Sequence, residues 1–155
     1  MVAGEDRKWK AQPVTVEKAD AKTLGKLVAN GGRTGMRLIN LWSTSCGPCV
    51  AEFPELVKIY RQYSWQEFEF IPISLDSADD KDKVLRFLRR THCGLSPRTK
   101  PFLDEENRTT NNYLFEGDTE DLAKAIDSTW DGALPFTLLV GKGGEVLFRH
   151  SGVID

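Results

Sequence analysis

Leu38-Ile39-Asn40-Leu41-Trp42-Ser43-Thr44-Ser45-Cys46-Gly47-Pro48-Cys49-Val50-Ala51-Glu52-Phe53-Pro54-Glu55-Leu56 is the stretch on which the reading of this chain turns. Residues 37–42 are mostly apolar and β-compatible, and predict a central strand buried on both faces. Val50, Phe53, Leu56, Val57 and Tyr60 then recur at helical spacing, with Pro54 expected to kink the helix because it lacks an N–H. Cys46 and Cys49 stand at the junction, where strand gives way to helix. Two sulfurs on a first helical turn are close enough to form a disulfide, and the positive end of the helix favours a thiolate on the first of them. The thiolate is the nucleophile of thiol–disulfide exchange. Pro48 removes no helical hydrogen bond there, since that N–H has no partner within the helix.

Outward from this segment, 13–16 predicts a short edge strand at the end of a polar lead-in, 1–17. Asp20 is placed to cap a helix bearing Leu24, Leu27 and Val28, closed by Gly31-Gly32. Residues 68–75 predict a second strand, and Pro72 within it argues for an edge position or a locally open ladder. A helix over 80–91 buries Val84, Phe87 and Leu88 and turns Arg86, Arg89 and Arg90 to water. Residues 94–118, rich in Gly, Pro, Asn and acids, read as an inserted loop. A short helix over 119–128 follows. Strands at 136–140 and 145–150, joined by Gly141-Lys142-Gly143-Gly144, make a hairpin. The strand–helix–strand unit demands a parallel pair and the hairpin adds an antiparallel one, so the expected fold is a single α/β domain with a mixed sheet.

Composition narrows the chemistry further. The chain has 155 residues, with 21 Lys+Arg against 23 Asp+Glu and a net charge of −2, which argues against a nucleic-acid-binding surface. No apolar run approaches the roughly 20 residues of a membrane span, and the first thirty residues lack a signal-peptide core; the start at Met1-Val2 leaves a removed export segment open. Three cysteines are too few for a disulfide framework. Zinc is disfavoured as well, since only His92, Cys93 and His150 could complete a site with Cys46 and Cys49, and two of them are adjacent. Cys93 reads as a buried free thiol and the two histidines as structural. The acids of 76–82 read as a solvated helix face. With no Gly-x-Gly-x-x-Gly after a strand, no nicotinamide or flavin cofactor is expected.

The quoted segment resembles the active-site stretch of thioredoxin-like proteins, and among them the TlpA-like and ResA-like thiol–disulfide oxidoreductases of bacterial cell envelopes. A second match lies about ninety residues downstream, at Gly132-Ala133-Leu134-Pro135-Phe136-Thr137-Leu138. The resemblance covers roughly 15–154 and implies a thioredoxin-like fold with added structure at 77–128. It also implies a helix after the last strand, and this sequence stops at Asp155 before one. Carried over, Cys46 is the exposed attacking cysteine, Cys49 the buried resolving one, and Pro135 a cis-proline that presents the backbone of Leu134 to a substrate strand. Glu52 would manage a proton for the thiols; the plain alternative is a solvated surface glutamate. The buried aspartate of thioredoxins is replaced by Asn40, which cannot titrate. Ser45 replaces a tryptophan found in many relatives, so the rim formed with Gly47 and Pro48 is smaller and more polar. Trp42 is expected beneath the pair, where a plain core role explains it equally well. Trp130 either lines the substrate groove or fills space under the insertion.

The resemblance implies a reductase of disulfides in partner proteins, supplied by an upstream dithiol donor, located in the periplasm or cell envelope, and touching a membrane only through an anchor outside this sequence. A peroxiredoxin-like peroxidase is disfavoured, because 40–45 contain no proline before the reactive cysteine. A non-catalytic client- or metal-binding module is the remaining alternative.

Overall fold

The structure, a computed structural model, describes residues 9–31 and 33–154. Part of the polar lead-in (1–8), Gly32 of the helix-closing glycine pair and Asp155 lie outside the described residues.

Strand β1 (Glu17–Ala19) leads into α1 (Ala21–Ala29), and β2 (Met36–Trp42) into α2 (Gly47–Tyr63). After β3 (Phe68–Ser74) come α3 (Lys81–Arg90), α4 (Lys100–Glu105), β4 (Tyr113–Phe115) and α5 (Thr119–Ile126). The hairpin of β5 (Phe136–Val140) and β6 (Val146–Ser151) completes the chain. The strands form one mixed sheet in the order β1-β4-β3-β2-β5-β6. β1, β4, β3 and β2 run parallel; β5 is antiparallel to β2, and β6 to β5.

β2 is central, as its apolar run predicts. Ile39 and Leu41 join a core with Leu24, Leu27 and Val28 of α1 and Leu122 and Ile126 of α5. Leu38 and Trp42 join the opposite core with Phe53, Leu56, Val57 and Tyr60 of α2 and Val84, Phe87 and Leu88 of α3. Each such buried aliphatic or aromatic side chain contributes about 1.5–3 kcal/mol relative to exposure. The caps follow local chemistry. Asp20 accepts a hydrogen bond from the Thr23 N–H at 2.8 Å and opens α1. Asn30, in the left-handed conformation at φ 56°, closes it one residue ahead of the predicted glycines.

Two expectations need correction, and a third is decided between its alternatives. The N-terminal edge strand forms at Glu17–Ala19 rather than over 13–16. Pro72 does not mark an edge strand, since β3 lies inside the sheet. Its ladder is nevertheless locally open, because β4 pairs only with Ile73 and Ser74 and leaves the rest of that side, Pro72 included, unpaired. The 94–118 segment is not a plain loop. It carries α4 and β4, and Tyr113, Leu114 and Phe115 are all buried between β1 and β3.

A network of charges ties the amino-terminal ends of β2 and β3. Arg37 and Glu69 stand opposite each other in register, both nearly fully buried, with Nε 2.9 Å from Oε2. Arg37 also donates to the Leu27 carbonyl at 2.8 Å and to Glu106. Arg108 bonds Glu69 at 3.1 Å and Glu106 at 2.9 Å, and Asn111 donates to Glu69 at 3.2 Å.

Candidate active site

At the other, carboxyl end of β2 the chain passes through Ser43, Thr44 and Ser45 into α2. Cys46 is the N-cap residue, with extended backbone, and Pro48 sits in the first turn. A disulfide joins Cys46 to Cys49, their Cα atoms 5.2 Å apart. Cys46 is half-buried, Cys49 only 2% exposed, and Ser45, Gly47 and Pro48 lie open around them. Of the two, Cys46 is the residue open to solvent and Cys49 the enclosed one.

Glu52, one helical turn beyond Cys49, is 7% exposed, which removes the reading of a solvated surface residue. Its Oε2 accepts a hydrogen bond from the Ile154 N–H at 2.6 Å, and its Oε1 is buried without a hydrogen-bond partner among the described residues. Asn40 is buried and donates to the Thr137 hydroxyl at 3.1 Å across the β2–β5 ladder. Trp42 is 1% exposed, its ring 4.8 Å from that of Phe53 and 5.0 Å from that of Phe87, in the same core as Cys49.

The downstream motif returns to this place through the sheet. Leu41 pairs with Phe136, which sets Pro135 beside the carboxyl end of β2. The Leu134–Pro135 peptide bond is cis. Leu134 is half-buried and packs against both cores, including the one that holds Cys49 and touches Cys46. Trp130 does not join the rim. It is 6% exposed, donates from Nε1 to the Ala133 carbonyl at 2.8 Å, and packs near Phe136 in the core formed by α1 and α5.

Asp76 is the residue the sequence reading passed over, having been counted with the solvated acids of 76–82. It is half-buried and takes hydrogen bonds from the hydroxyls of Ser43, Thr44 and Ser74 and from the Thr44 N–H. Burial alone would raise its carboxyl pKa, but these bonds prevail and hold it below the ordinary carboxylate range. An acid just beyond the end of a parallel strand, with Ser-Thr-Ser beyond the neighbouring strand, is the signal that would have found it. Cys93 matches the bland reading: it is buried, donates to Asn112 at 3.4 Å, and burial pushes its thiol up to about 12. Among the described residues no group of His, Cys, Asp and Glu could hold a metal ion.

The sequence profile of the Redoxin family matches residues 10–155. The chain belongs to the redoxin family. This redoxin is 28% identical over 114 residues to the thiol-disulfide oxidoreductase ResA of Halalkalibacterium halodurans, a match covering 74% of this chain and 52% of that protein. It is 36% identical over 110 residues to the protein of the same name from Oceanobacillus iheyensis, covering 70% and 45%. The redoxin chain thus spans about half the length of these curated relatives. Among solved structures, the thioredoxin domain of a thiol-disulfide oxidoreductase from Bacteroides vulgatus superposes with a TM-score of 0.53 at 20% identity, over 77% of this chain and 71% of that one. A DsbF homologue from Corynebacterium diphtheriae gives 0.52 at 14%, over 79% and 66%. These similarities establish a thioredoxin-like fold for the redoxin.

Proposed function

We propose that this redoxin is a thiol–disulfide oxidoreductase that reduces disulfides in partner proteins. The observation that carries the reading is the accessible Cys46 paired with the buried Cys49 at the head of α2. In the reduced protein the Cys46 thiolate attacks one sulfur of a client disulfide, forming a mixed disulfide and expelling a client thiolate. Cys49, deprotonated, then attacks Cys46 Sγ, releases the second client sulfur and closes the Cys46–Cys49 bond. Two electrons pass from the redoxin to the client. The two client thiolates take up the protons that Cys46 and Cys49 give up, and Glu52 beside Cys49 relays the proton of the buried thiol. Leu134 and Pro135, with Ser45, Gly47 and Pro48, form the rim that receives the client, and Trp42 supports the pair from beneath. An upstream dithiol donor re-reduces the disulfide. The resemblance to envelope thiol–disulfide oxidoreductases favours work outside the cytoplasm, in the periplasm or cell envelope, on a protein client. Among the described residues no helix is long and apolar enough to cross a membrane.

The test is the reduction potential of the Cys46–Cys49 pair, equilibrated against thiol buffers with free thiols trapped and counted. A value near the thioredoxin range, about −270 mV, supports a reductant; one near about −120 mV reverses the electron flow. If no disulfide forms at any poise, the redox reading is lost. With Cys49→Ala, the mixed disulfide has no resolving thiol and client proteins are expected to remain linked to Cys46.

A further inference from the structure

Loops that present a reactive side chain need their own anchor, and between β2 and α2 only Ser43, Thr44 and Ser45 precede Cys46. Register supplies the anchor. Trp42 stands opposite Ser74, and the Leu75 N–H donates to the Trp42 carbonyl at 2.8 Å, so β2 and β3 end level. The next residue on the β3 side, Asp76, therefore meets the loop on the β2 side. Thr44 donates to its carboxylate from the backbone N–H, 3.0 Å from Oδ2 and 3.2 Å from Oδ1, and from its hydroxyl at 2.5 Å. The Ser43 hydroxyl donates at 3.1 Å and the Ser74 hydroxyl at 2.5 Å. The chain of contacts continues towards the sulfur. The Ser45 N–H donates to the Ser43 hydroxyl at 3.2 Å, the two hydroxyls lie 2.9 Å apart, and the Cys46 N–H donates to the Ser43 carbonyl at 3.1 Å.

We propose that Asp76 is a positioning residue of the redox site, which holds Cys46 through the Ser43–Ser45 loop and, by its negative charge at the base of that loop, tunes the potential of the Cys46–Cys49 pair. The inference rests on the reading of that pair as a redox centre. Four donors aimed at one carboxylate keep it ionised, in agreement with its lowered pKa, in which these bonds outweigh the burial that opposes them. A fixed negative charge at the base of the loop that carries Cys46 disfavours the reduced, charged state and leaves the neutral disulfide untouched. The pair is thereby a stronger reductant than it would be without Asp76, the converse of an oxidant whose reduced form is stabilised. The other acids of this run, Asp79, Asp80 and Asp82, are exposed.

The experiment compares reduction potentials at pH 7 in the wild-type protein, Asp76→Asn and Asp79→Asn. Asparagine can still accept the Thr44 N–H bond but carries no charge. The expected result for Asp76→Asn is an equilibrium with the thiol buffer displaced about tenfold towards the reduced protein, roughly 30 mV upward, with no displacement in Asp79→Asn. Alkylation of Cys46 is expected to accelerate in the same variant. Two results would overturn the proposal: a potential for Asp76→Asn equal to that of the wild type, or an equal displacement in both variants, which would reduce the effect to net charge. A wild-type protein that forms no reversible disulfide instead removes the redox reading itself, so the two failures are told apart within one data set.

Discussion

Glu52 has one oxygen bonded to the Ile154 N–H and the other buried without a partner among the described residues, which suits the proton-relay role proposed for it. Exchanged for glutamine, the side chain keeps an acceptor for Ile154 but cannot carry a proton. Glu52→Gln is therefore expected to slow disulfide reduction on the order of a hundredfold, the usual scale of a lost general acid–base, with little change in the denaturation midpoint. Stopped-flow exchange with a disulfide peptide beside a urea titration measures both; equal rates in the two proteins would remove Glu52 from the chemistry. Cys93 offers a second residue-scale test, with a definite sign. Its thiol ordinarily titrates near 9.0 and is pushed up to about 12 by burial. Below pH 9 folded and unfolded chains both hold the proton. Between 9 and 12 only the unfolded chain releases it, so stability falls by up to about 1.4 kcal/mol per pH unit. Tyr60, raised by burial to about 12, adds its share above pH 10. Unfolding free energies of Cys93→Ala are expected to decline less steeply across that window than those of the wild type.

At the scale of elements, no strand pairs with the outer edge of β6 among the described residues, and the strand carries three exposed apolar side chains: Leu147 at 49%, Phe148 at 41% and Val146 at 40%. An apolar edge with unpaired backbone groups invites a second chain. Leu147→Lys is expected to lower concentration-dependent light scattering while changing unfolding free energy by no more than about 0.5 kcal/mol. A scattering curve that does not move would show the edge to be harmless. Elements also show how far the sequence can be read. β2, α2 and the hairpin announce themselves because their apolar periods are local and long. β4 does not, since a run of Tyr113-Leu114-Phe115 becomes a strand only when β1 and β3 flank it. Pro72 leaves its two readings open for the same reason: whether a proline marks an edge or a locally open ladder depends on which neighbour is present beside it, and β4 stops short. The cysteine pair and Leu134-Pro135 are legible as motifs, while Asp76 can be flagged by its place after a strand but its hydrogen bonds cannot be read. They follow from the level ends of β2 and β3, which is a matter of register between segments thirty residues apart.

For the molecule as a whole, the sheet places the redox pair beyond one end of β2 and the Arg37–Glu69–Glu106–Arg108 network at the other. Seven residues of strand, at about 3.3 Å each, keep them on the order of 20 Å apart. Breaking a buried ion pair leaves an uncompensated charge at a cost of about 3–5 kcal/mol. Glu69→Gln is expected to lose stability on that scale in urea denaturation, with the potential of Cys46–Cys49 unchanged. A potential that moved with Glu69 would show that the two ends communicate. Substitutions so far apart, with no shared partners, combine additively. An unmoved potential would make heat resistance and electron-donating strength separate traits of this scaffold. A breeder of variants could harden the far end and retune the near end in parallel libraries, then join the winners in one gene without a second round of search.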